Sequence, residues 1–164
     1  IRQGILSSLL AFGLTIFFMI MYYRVGGTMA DVALLLNLLF TLAVLAGFKA
    51  TLTLPGIAGI ILTMAVAVDA NVLIYERIRE EAVTGKTVSA AIDTGYEKAF
   101  TAIFDSNLTT FITGVILYKF GSGAIQGFAL TLMIGIVASM FSAIVLTRII
   151  FNIMTQRGKM VNFG

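Results

Sequence analysis

The sequence predicts an all-α membrane protein: one transmembrane domain over residues 1–164, built as a five-transmembrane-helix bundle. Three observations predict it. Of the 164 residues 59% are hydrophobic and only 12% charged, so the long apolar stretches must face lipid rather than fold into one water-soluble core. Five stretches approach or exceed the roughly 20 apolar residues needed to cross about 30 Å of hydrocarbon. The basic residues stand mostly at the ends of those stretches, where they act as topology signals rather than as the patch of a nucleic-acid binder.

The spans fall at about 5–23, 30–48, 56–75, 107–120 and 124–153. The first follows almost directly on Ile1-Arg2-Gln3-Gly4, with no initiator Met and no cleavable signal, which suggests a piece of a longer chain. The second carries Asn37 and Thr41, four residues apart. The third leaves the membrane through Glu76-Arg77-Ile78-Arg79-Glu80-Glu81 and stops at Gly85. Residues 76–106 form a cytoplasmic amphipathic loop that holds six of the eight acidic residues. Within it Thr87 caps a helix whose Val88, Ile92, Ala99 and Ile103 stand opposite Asp93, Glu97 and Lys98, a pattern suited to lying on the membrane surface or against the bundle. The fourth span is short, with an earlier start inside the preceding polar loop left open, and Gly121-Ser122-Gly123 turns into a fifth span long enough to project into the cytoplasm. Arg148, near the inner end of that span, is expected to snorkel to the headgroups. With the N-terminus outside, eight Lys/Arg lie on the inner face (Arg24, Arg77, Arg79, Lys86, Lys98, Arg148, Arg157, Lys159) and three on the outer (Arg2, Lys49, Lys119). That imbalance places the C-terminus in the cytoplasm.

No cysteine and no histidine are present, so disulfides and Cys/His metal sites are excluded. Nucleotide-binding loops, a Ser/His pair and metal-ligand clusters are likewise missing, so neither a cofactor nor ATP hydrolysis by this chain is expected. Chemistry then falls to Asp69, read as the one acidic residue set inside the bilayer, about six residues or roughly 9 Å from the cytoplasmic end of its span. An ionised Asp at a helix centre costs roughly 2.5–3.5 kcal/mol on insertion scales. Its proton occupancy should depend on which side its cavity opens to, the minimal property of a proton carrier. Asn71 is placed to orient a partner or water of Asp69, and Asn107 and Thr110, with Gly114, share one face of the fourth span as relay or helix-contact support. Two stripes of small residues, Gly56, Gly59, Thr63, Ala67 and Ala70 on the third span and Gly123, Gly127, Thr131, Gly135 and Ser139 on the fifth, predict closely approaching backbones.

The run 54–63, followed by Ala67-Val68-Asp69-Ala70-Asn71-Val72-Leu73-Ile74-Tyr75-Glu76-Arg77-Ile78-Arg79-Glu80-Glu81, closely resembles the signature of the SecD family of protein-export membrane proteins. So do Ile103-Phe104-Asp105-Ser106-Asn107-Leu108-Thr109-Thr110 and Gly121-Ser122-Gly123-Ala124-Ile125-Gln126-Gly127-Phe128-Ala129. The resemblance implies half of a resistance-nodulation-division transmembrane domain, spans two to six of SecD or of the SecD half of a fused SecDF. It implies a bacterial inner-membrane location beside the SecYEG channel, a SecF half as partner, and an external domain, outside this chain, that grips the unfolded polypeptide being exported. Protons would be the coupling ion and Asp69 the relay carboxylate. Two alternatives stay open: a proton-driven small-molecule exporter of the same superfamily, and a structural scaffold of the translocon.

Overall fold

The computed structural model describes residues 2–47 and 53–156, all helical apart from short joints, with no strand among them. The expected end of the second span at Phe48, the outer Lys49, and the tail from Arg157 through Lys159 to Gly164 lie outside the described residues. The helices are α1 (Arg2–Tyr23), α2 (Val25–Gly47), α3 (Leu54–Val83), α4 (Val88–Phe120), α5 (Ala124–Phe141), a π-helical turn (Ser142–Leu146) and α6 (Thr147–Gln156). Four stretches, Gly26–Gly47, Leu54–Val83, Val88–Phe120 and Ala124–Ile150, are long and apolar enough to cross a membrane, and α1 adds a shorter apolar stretch, Leu9–Tyr23. Leu10, Leu14, Phe17 and Met21 of α1 are each more than 60% exposed, as side chains meant for lipid would be.

The turn between α1 and α2 is a single residue, Arg24, in the left-handed region at φ 48°. It is this tight because Gly27 lets the start of α2 lie on α1: a Cβ there would stand 2.0 Å from the Met19 carbonyl oxygen. The second helix therefore restarts earlier than the expected position 30, which brings Asp31 into its interior.

Thr53 caps α3 by accepting from the Gly56 N–H at 3.1 Å, and Pro55 sits in the first turn, where its missing N–H leaves nothing unpaired. The helix runs on past the apolar section to Val83, and Gly85 at φ 87° turns the chain. Thr87 caps α4, accepting from the Ala90 N–H at 3.4 Å. Here the structure departs from expectation. Residues 88–120 form one continuous helix, so the polar segment and the short fourth span are two halves of a single element. The predicted apolar face packs inward through Ile92, Ala99 and Ile103, while Val88 is exposed. That face meets α3 and the bundle core rather than lying flat on a membrane surface.

The α3–α5 contact is the centre of the bundle, and it is where the two small-residue stripes meet. A Cβ on Gly59 would stand 2.2 Å from Thr131 Oγ1, and one on Gly135 would stand 2.4 Å from Thr63 Oγ1. Each threonine thus occupies the gap left by the other helix's glycine. The two pairs share one sequence offset, so α3 and α5 run parallel, with α4 returning between them.

Candidate functional site

Asp69 lies on the face of α3 that the rest of the chain leaves open. It is exposed, in line with exposed Ala58, Leu62 and Ala65 at helical spacing, and forms no hydrogen bond or ion pair with the described residues. Asn71, two residues on, points about 200° away around the helix, so it does not serve Asp69. It is 2% exposed, and its Oδ1 accepts from Thr147 Oγ1 of α6 at 3.4 Å. Asn107 is also buried on α4: its Nδ2 donates to the Ile103 carbonyl at 2.7 Å, while its Oδ1 is buried without a partner. Thr110 is half-buried and donates to the Ser106 carbonyl of its own helix at 2.9 Å. On α2, Thr41 donates to Asn37 Oδ1 at 3.4 Å. The predicted polar residues are thus distributed over three helices, with Asp69 alone on the open face.

The structure gathers a different set of polar groups where α2, α3 and the π-helix meet. Ser142 Oγ donates to the Ala33 carbonyl at 2.7 Å, and Thr147 Oγ1 reaches the Ser142 carbonyl at 3.1 Å as well as Asn71. The same carbonyl accepts the Thr147 N–H, the i→i−5 bond of the π-turn, so Thr147 meets it with both its backbone and its hydroxyl. On α2, two residues before Ala33, Asp31 is 7% exposed, with both carboxylate oxygens buried and without a hydrogen-bond partner among the described residues. The reading of Asp69 as the one acid within the apolar bundle is corrected accordingly. The sequence signal for Asp31 was its place inside the predicted second span, at the second residue of 30–48; the one-residue turn at Arg24 moves the helix start back and carries the acid further inward.

Beyond the apolar sections, charged groups pair closely. Glu81, its side chain 7% exposed, accepts from Lys86 Nζ at 2.6 Å and from Lys98 Nζ, tying the end of α3 to α4. These two ammonium groups hold its carboxyl below the ordinary glutamate value. Tyr23 Oη donates to Glu76 Oε1 at 3.0 Å, and Arg79 reaches the same oxygen at 3.1 Å. Arg148 does not stand free toward the headgroups as expected. It pairs with Asp93 at 3.0 Å and lies 5.9 Å over the Tyr96 ring, beside a cleft of about 320 Å³.

These features define a polytopic α-helical membrane protein with a carboxylate on the open face of a central span. The match to known proteins is more specific. Residues 1–157 fit the model of the family "Protein export membrane protein SecD/SecF, C-terminal", and the chain belongs to that family. It is 64% identical over its whole length to the protein translocase subunit SecD of Rhodothermus marinus, covering 26% of that relative. It is 52% identical to the SecD subunit of Endomicrobium trichonymphae, covering 96% of this chain and 33% of the relative. The chain thus spans between a quarter and a third of these curated relatives. Its fold superposes on the crystal structure of SecDF from Thermus thermophilus, a translocon-associated membrane protein, with a TM-score of 0.93 at 38% identity, over 98% of this chain and 22% of that one. A second SecDF structure, in a super-membrane-facing form, gives 0.89 at 40% identity, over 96% of this chain and 22% of that one.

Proposed function

We propose that this chain is the SecD-side transmembrane half of an inner-membrane translocase that uses the proton gradient to drive protein export, with Asp69 as its protonation switch. The single observation carrying the reading is the open, unpartnered Asp69 on an apolar helix. Facing lipid, the ionised form would cost roughly 2.5–3.5 kcal/mol at a span centre. A second membrane half, SecF, covers that face and supplies the cation or water path that makes the site reversible. The family membership and the relatives' designation as translocase subunits support the reading. SecYEG and the exported polypeptide are then the further partners, the N-terminus lies outside and the C-terminus in the cytoplasm, and the proton gradient replaces ATP hydrolysis as the drive.

The test is gradient-driven export in membranes carrying the full-length protein with Asp69→Asn, at matched expression and assembly. Export that no longer responds to the gradient is expected. Unchanged export would leave Asp69 a packing residue and the chain a scaffold.

A further inference from the structure

We propose that Asp31 is a second proton-binding site of the bundle, loaded and closed in this conformation, which exchanges its proton when the joint between α2, α3 and the π-helix opens. The proposal rests on the reading above only in taking the proton gradient as the drive.

The first ground is enclosure. Asp31 is 7% exposed in this chain alone, and both its oxygens are buried with no hydrogen-bond partner among the described residues. Added subunits only increase burial, so a partner subunit reaches these oxygens only after a movement within the bundle. A carboxylate so enclosed, with no cation and no donor, is far less favourable than the neutral acid.

The second ground is the surrounding groups. From α3, fully buried Tyr75 lies within electrostatic reach of the Asp31 carboxyl. From α1, Tyr23 stacks edge-on against Tyr75 with ring centroids 5.5 Å apart, its hydroxyl engaged by Glu76. Tyr75 in turn interacts with Tyr96 of α4, over which Arg148 of α6 lies, and the guanidinium is held by Asp93. α5 contributes no titratable side chain. Among the described residues, then, no cation is positioned to hold Asp31 ionised in the closed state.

The third ground is a joint able to open. Two residues from Asp31, the Ala33 carbonyl is held by Ser142 of the π-helix, and the next turn holds Asn71 through Thr147. A π-turn carries one residue more than an α-turn, and such single turns inside α-helices are frequent at functional sites. Parting the Ser142–Ala33 bond would free α2 at the level of Asp31. Release is then a plain acid dissociation: the O–H bond breaks, the proton passes to an entering water, and the carboxylate stays on α2.

The experiment uses the full-length protein with its partner subunits in proteoliposomes, read by infrared difference spectroscopy as the pH is stepped and by gradient-driven export. In Asp31→Asn a protonated-carboxyl stretch that Asp69→Asn retains should disappear, and export should fall to the level seen with the gradient collapsed. An unchanged carboxyl band overturns the proposal, and so does a lost band with intact gradient dependence. Should Asp31→Asn fail to assemble, Asp31→Glu decides: the band must move to the glutamic-acid position, and a band that stays put overturns the assignment. If Asp69→Asn leaves export untouched while Asp31→Asn abolishes its gradient dependence, the role of Asp69 falls and this one stands.

Discussion

Glu81 is the residue at which charge most clearly governs structure. Its carboxyl closes the α3–α4 corner against Lys86 and Lys98, and those contacts lower its proton affinity below the ordinary value of 4.5. A group whose folded-state value is depressed stabilises the fold above the unfolded value, and that contribution is lost as the pH falls through the folded one. Thermal unfolding of the full-length protein in detergent should therefore show Glu81→Gln destabilised at neutral pH, with the difference from the parent shrinking below pH 4.5. A difference that persisted undiminished in acid would mean that Glu81 acts by shape alone. Asp69 was legible from the sequence because it interrupts a long apolar run. Asp31 stood at the edge of the predicted second span, and its depth follows from one left-handed residue, Arg24, that no hydropathy pattern marks. Arg148 was misread for a related reason: its partner Asp93 lies on another helix, far away in the chain.

At the scale of elements, the α3–α5 pair is set by size rather than by chemistry. Gly59→Ala places a methyl 2.2 Å from Thr131 Oγ1, so the helices must separate, at about 1–3 kcal/mol for such overpacking. Thr131→Ala in the same chain removes the obstructing hydroxyl. The double variant should recover most of the loss in unfolding experiments, and additive losses would mean that the two positions do not meet. The stripes themselves were readable as every-fourth-residue patterns, whereas their mutual register is a property of two surfaces and needed the structure. Similarly, capping residues marked Thr87 as a helix start, yet the change from polar to apolar composition near 107 hid the continuity of α4. A helix that leaves the bilayer changes its solvent without changing its backbone.

For the whole molecule, one flank is finished and one is not. The outward face of α1 is apolar from Leu9 to Met21, while the open face of α3 ends in a carboxylate, so the proposed second membrane half would sit on the latter. In the assembled full-length complex, Leu62→Cys should be protected from a lipid-soluble maleimide while Phe17→Cys is labelled. Equal labelling of both would remove the partner from the α3 face. The parallel packing of α3 on α5 also has a consequence in time. The residues that interlock, such as Gly59 and Thr131, are separated by about seventy positions, and synthesis adds roughly 5–20 residues per second. For several seconds on the ribosome α3 stands in the membrane with its notched side vacant, and only the emergence of α5 fills it.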